Sequence, residues 1–64
     1  GSVRIGDNSF IGFGVIILPN VSIGNWCIVG AGSVVTKSFP DYSMIAGNPA
    51  KLIKRFCLDK KVWI

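Results

Sequence analysis

Sixty-four residues carry seven Lys and Arg against three Asp and Glu, a formal charge of +4, with half of the composition hydrophobic and no histidine. A chain of this length makes at most one small domain and buries too little surface for comfortable stability alone. Its apolar runs are broken every few residues by Gly, Asn or Pro, leaving no room here for a membrane span or a signal peptide. Cys27 and Cys57, far apart in a chain without His, make no metal motif, and Cys27 reads as a small buried apolar residue.

The residues from Gly1 to Arg4 extend a strand pattern backwards from Ile5, and from Ile5 onward the chain reads in sixes. An aliphatic residue opens each block: Ile5, Ile11, Ile17, Ile23 and Val29, with Val35 entering the next. The fifth places are small or modest in volume: Ser9, Val15, Val21, Cys27 and Ser33. Fifth and first places of adjacent blocks lie two residues apart, so they share one side of a short strand. The second to fourth places are Gly, Asn, Asp or Pro except at Phe13, Leu18, Trp26 and Ala31, and those residue types turn a chain. Neither a helical period nor plain alternation gives this pattern.

Short strands separated by identical corners wind into a solenoid, and a triangular parallel β-helix is the solution at six residues. Three blocks close one coil, so residues eighteen apart should stack about 4.8 Å above one another. Gly12 then lies under Gly30, Gly14 under Gly32, Val15 under Ser33, Phe10 under Ile28 and Ile16 under Val34, pairs alike in size or polarity. Phe13 with Ala31 is the exception. The sixth places, Phe10, Ile16, Ser22, Ile28 and Val34, point outward and leave two of the three faces apolar. Five blocks give about one and two-thirds coils, fewer than a solenoid usually needs. The expectation is a C-terminal piece of a longer protein, with coils 1–36.

After Val35 the period stops. Residues 37–47 read as a loop leading away from the last coil, with a brief return to strand at Ile45–Gly47. Asn48-Pro49 reads as an N-cap followed by the first helical position, predicting a helix over 49–58 within a capping segment 48–58. On that helix Leu52, Ile53, Phe56 and Cys57 would cover the open end of the coil, opposite Lys51, Lys54 and Arg55. Residues 59–64 form a basic, aromatic tail. Lys37, Lys51, Lys54 and Arg55 admit three readings from the residues alone. They could form a solvated face, a nucleic-acid patch that lacks an aromatic stacking platform, or a site for a phosphate-bearing ligand at a helix start.

The hexads, followed by Gly30-Ala-Gly-Ser-Val-Val-Thr-Lys37 and by Ala46-Gly-Asn-Pro-Ala-Lys51-Leu-Ile-Lys54-Arg55, resemble the C-terminal end of the hexapeptide-repeat acyltransferases. Within them the likeness is to the sugar and polysaccharide O-acetyltransferase branch, which includes maltose and galactoside acetyltransferases, and it covers roughly residues 1–56. The resemblance implies an all-β solenoid, a left-handed parallel β-helix, assembled as a homotrimer, while the cysteine usage fits a cytoplasmic setting. It implies acetyl-CoA as acyl donor and a saccharide acceptor, with no nucleic acid and no membrane span. Carried over by motif, Phe13, Ala31, Thr36, Lys37, Lys51 and Lys54 are the cofactor-binding candidates. Lys51 and Lys54 stand where the galactoside enzyme's motif has arginines, and lysine neutralises a phosphate without holding it bidentately.

The family's reaction needs a histidine base for the acceptor hydroxyl, and these residues contain none, so no catalytic residue is assigned within them. The alternative function is a non-catalytic hexapeptide module that only trimerises.

Overall fold

The computed structural model of the chain describes residues 2–64. Six two-residue strands follow one another at the expected spacing: β1 (Arg4–Ile5), β2 (Phe10–Ile11), β3 (Ile16–Ile17), β4 (Ser22–Ile23), β5 (Ile28–Val29) and β6 (Val34–Val35). They pair in parallel, β1 with β4, β2 with β5 and β3 with β6, in the registers Ile5↔Ile23, Ile11↔Val29 and Ile17↔Val35. Three sheets, one per face of a triangular prism, follow from this pairing.

The corners turn by one device. The fourth place of every block has positive φ: Asn8 at 61°, Gly14 at 72°, Asn20 at 69°, Trp26 at 58° and Gly32 at 73°. Asn and Gly are the residues that visit this left-handed region at least cost, so the corner composition and the backbone agree except at Trp26.

Inward side chains build the core: Val21, Ile23, Cys27, Val29, Val35, Phe39, Ile45 and Ala50 are all buried. Burying a Val or Ile side chain fully is worth about 1.5–3 kcal/mol, and most of that gain comes from the second coil onward. Ile5 is 46% exposed, whereas Ile23, stacked on it, is 2% exposed. The fifth-place serines carry hydrogen bonds as well as fitting the corner. Ser9 donates to the Gly24 carbonyl (2.9 Å) and accepts from the Cys27 N–H (3.0 Å). Ser33 donates to Gly30 O at 2.6 Å and accepts from Gly47 N at 3.2 Å.

Beyond Val35 the structure corrects two expectations. The segment after Lys37 does not lead away from the prism but winds over it as a shortened third coil. Phe39 bridges in parallel to Ile23, and β7 (Ser43–Gly47) pairs in parallel with β5 through Ile28↔Met44 and Val29↔Ile45. The Asp7 N–H donates to Asn25 Oδ1 across eighteen residues, whereas the Asn25 N–H donates to Asp41 Oδ1 across only sixteen. Two residues are lost from the turn that contains Lys37 and Ser38, which is why the six-residue period ceases to be visible there.

The second correction concerns the helix over 49–58, which is absent: Ala50–Cys57 is an antiparallel strand, β8, paired with β7. Asn48-Pro49, read as a helix start, is instead the turn between them, with a cis peptide bond. The physical reason is the unpaired edge of β7. Its free backbone groups reward a strand along its whole length, whereas a helix of ten residues is marginal in water. The apolar residues assigned to a buried helical side, Leu52 and Ile53, are 47% and 55% exposed. A register shift between Met44 and Ile45 accommodates β8. A last strand, β9 (Val62–Trp63), pairs antiparallel with β8 after a turn, so the end of the tail 59–64 joins the sheet.

Candidate functional site

The corner that carries Phe13 and Ala31 is built by close backbone stacking. The Gly32 N–H donates to the Phe13 carbonyl at 2.9 Å, and a Cβ on Gly12 would stand 2.6 Å from the Ala31 nitrogen. Only glycine lets the two turns approach this far. Phe13 is 93% exposed, its ring projecting from the corner into solvent. Above it the Gly30 N–H donates to the Ile45 carbonyl (2.9 Å), which brings the end of β7 onto the same column.

The lysines divide between this corner and the next. Lys51 pairs with Ala46 and Lys54 with Met44, so both share the outer side of the β7–β8 hairpin, with Lys51 nearer the Phe13–Ala31 corner. Thr36 and Lys37 follow β6, at the corner stacked on Leu18, whose N–H donates to the Val35 carbonyl at 3.0 Å. Lys37 Nζ lies 5.6 Å from the centroid of the Phe39 ring. The six candidates therefore form two groups at opposite ends of the β3–β6 face. Phe13, Ala31 and Lys51 flank one end, with Lys54 set back along the β5–β7 face opposite Met44, and Thr36 and Lys37 mark the other. All six are exposed. With no helix at residue 49, the anion-attracting helix start expected beside Lys51 does not exist, and any attraction for phosphate rests on the ammonium charges themselves.

One feature escaped the reading of the residues. Trp26, Tyr42, Phe56 and Trp63 line a recess of about 320 Å³. Tyr42 and Phe56 stack at 6.1 Å between centroids, and Phe56 meets Trp63 edge to face at 5.3 Å. The signal available in advance was a Trp at a place filled elsewhere by Asn or Gly. Tyr42 joins it only because the third coil is two residues short.

A triangular prism of two-residue strands with left-handed corners defines a hexapeptide-repeat protein. The model of the bacterial transferase hexapeptide family (six repeats) matches residues 2–37, and the chain belongs to that family. A maltose O-acetyltransferase from Clostridium difficile 630 is 53% identical with a TM-score of 0.81, over 83% of this chain and 28% of that one. A galactoside acetyltransferase in complex with coenzyme A is 41% identical with a TM-score of 0.83, over 92% of this chain and 30% of that one. A provisionally named acetyltransferase of Staphylococcus aureus (strain COL) is 46% identical over 59 residues, 92% of this chain. The chain spans 30% of that relative's length.

Proposed function

We infer that this chain forms the C-terminal part of an acetyl-CoA-dependent O-acetyltransferase acting on a sugar or polysaccharide hydroxyl. The supporting observation is the exposed, glycine-built corner at Phe13 and Ala31 with Lys51 beside it and Lys54 on the same outer side of the hairpin, in a chain similar to an acetyltransferase bound to coenzyme A. Free backbone groups at such a corner suit the amide-bearing arm of the carrier, and ammonium groups suit its phosphates. Because Thr36 and Lys37 stand at the neighbouring corner, one carrier reaches both groups most simply in the groove between two prisms, with each prism supplying one group. The prisms form a homotrimer whose coils are left-handed, as the resemblance implies, and the protein works in the cytoplasm, where two free cysteines are stable.

Acetyl-CoA, when bound, supplies the activated acetyl group and leaves as coenzyme A. The residues of this chain position it, and the base that accepts the hydroxyl proton lies outside these 64 residues, which contain no His. Calorimetry with the full-length protein tests the reading: acetyl-CoA is expected to bind, and Lys51→Ala with Lys54→Ala to weaken it about tenfold or more, at roughly 1 kcal/mol per lost charge contact. Binding unchanged in the double variant would refute the lysine assignment. The outward apolar residues Phe10 and Ile16 also suit a module that only trimerises. Complete absence of acetyl-CoA binding in an intact trimer would favour that reading.

A further inference from the structure

The aromatic recess has no part in the carrier site above. It lies on the column of Trp26 and Tyr42, where the Tyr42 N–H donates to the Asn25 carbonyl at 2.9 Å, a different corner from Phe13 and Ala31. Trp26 and Tyr42 both have positive φ, 58° and 60°, while the corresponding places at Asn8 and Asn20 carry the residue type that adopts it readily. A bulky ring in this region is a conformational outlier, and such outliers concentrate where side chains serve a ligand. Anchoring the tail accounts for three of the rings, through the Tyr42–Phe56 and Phe56–Trp63 contacts, but Trp26 belongs to neither pair and is 51% exposed.

We propose that this recess holds one pyranose ring of a saccharide chain, apart from the point of acetyl transfer. The proposal rests on the saccharide reading above. A pyranose presents axial C–H bonds with slight positive charge on its faces, which match the negative faces of aromatic rings, while its hydroxyls spread toward the mouth and water. The lining contains no carboxylate, amide or ammonium group, so recognition is by ring faces with only the Tyr42 hydroxyl and two indole N–H groups as polar handles. Its volume, about 320 Å³, stands at the lower end for small-molecule sites and suits a single sugar unit better than a whole nucleotide carrier.

The test uses the full-length protein, titrated without acetyl-CoA with maltohexaose and with a sialic acid hexamer, followed by tryptophan fluorescence and calorimetry. At least one oligosaccharide is expected to bind, with Trp26→Asn and Tyr42→Asn each weakening it about tenfold by removing a ring contact. Both variants are expected to fold, because Asn already occupies this backbone conformation at positions 8 and 20. The proposal is overturned if neither oligosaccharide binds, if folded Trp26→Asn binds as the parent does, or if adenosine alone gives the Trp26-dependent signal. Trp26-dependent glycan binding in a protein that ignores acetyl-CoA would sink the transferase reading and leave the recess assignment standing.

Discussion

Gly12 and Gly14 show two different reasons for the same residue within one corner. A methyl on Gly12 would press on the Ala31 backbone at 2.6 Å, whereas one on Gly14 would meet nothing within 4 Å but sit at a φ of 72°. Gly12→Ala is expected to destabilise the full-length protein by about 1–3 kcal/mol, because backbone cannot yield as a side chain can. Gly14→Ala should cost about 1–2 kcal/mol through conformation alone, and Gly14→Asn less than either. Urea midpoints of the three variants check this, and a loss in Gly14→Asn as large as that in Gly14→Ala would contradict it. At this scale much was legible: the fourth places at Asn8, Gly14, Asn20 and Gly32 announce their backbone conformation. Trp26 and Tyr42 adopt it against their own preference, so nothing in their chemistry revealed it. The serine hydroxyls were legible as small, though not as hydrogen-bond carriers, since the carbonyls they serve belong to corners known only once the coil is closed.

Among the elements, β1 to β6 were readable because inward positions repeat every six residues and the pairing joins residues eighteen apart. β8 was not. Ala-Lys-Leu-Ile-Lys-Arg-Phe-Cys segregates by polarity at helical spacing, but the open edge of β7 decides its conformation, and that edge is a property of the fold. The register shift between Met44 and Ile45 further blurs strand alternation, placing Lys51 and Lys54, three residues apart, on one outer side. Assignment of β8 and β9 as strands has a direct check in hydrogen exchange. The Arg55 N–H donates to Ile64 O at 2.9 Å and the Ile64 N–H returns to Arg55 O at 2.8 Å. Removing residues 62–64 is expected to abolish slow exchange at Arg55 while Ile45, in the buried strand β7, keeps it. Fast exchange at Arg55 in the parent protein would argue against the pairing.

For the whole molecule, the distribution of exposed apolar surface matters most. Phe10 is 65% exposed and Ile16 56%, on two adjoining faces of the prism. Under the trimer proposal Ile16→Asp in the full-length protein should dissociate the assembly, since burying an unpaired carboxylate opposes association by several kcal/mol. Sedimentation velocity would show monomer, and an intact trimer would place the interface elsewhere. Among the candidate carrier residues, Phe13, Ala31, Thr36 and Lys37 had corner places readable from the hexads, whereas Lys51 and Lys54 were expected on a helix because the hairpin that holds them depends on the fold. One consequence of the antiparallel hairpin reaches beyond this chain's own fold. A column of same-direction rungs invites another rung at its top, and copies laid end to end could lengthen it without limit. By sending the chain back against the direction of travel and fastening β9 outside it, the molecule offers newcomers a mismatched step on the face of β2, β5 and β7, while sideways association through the prism walls remains open.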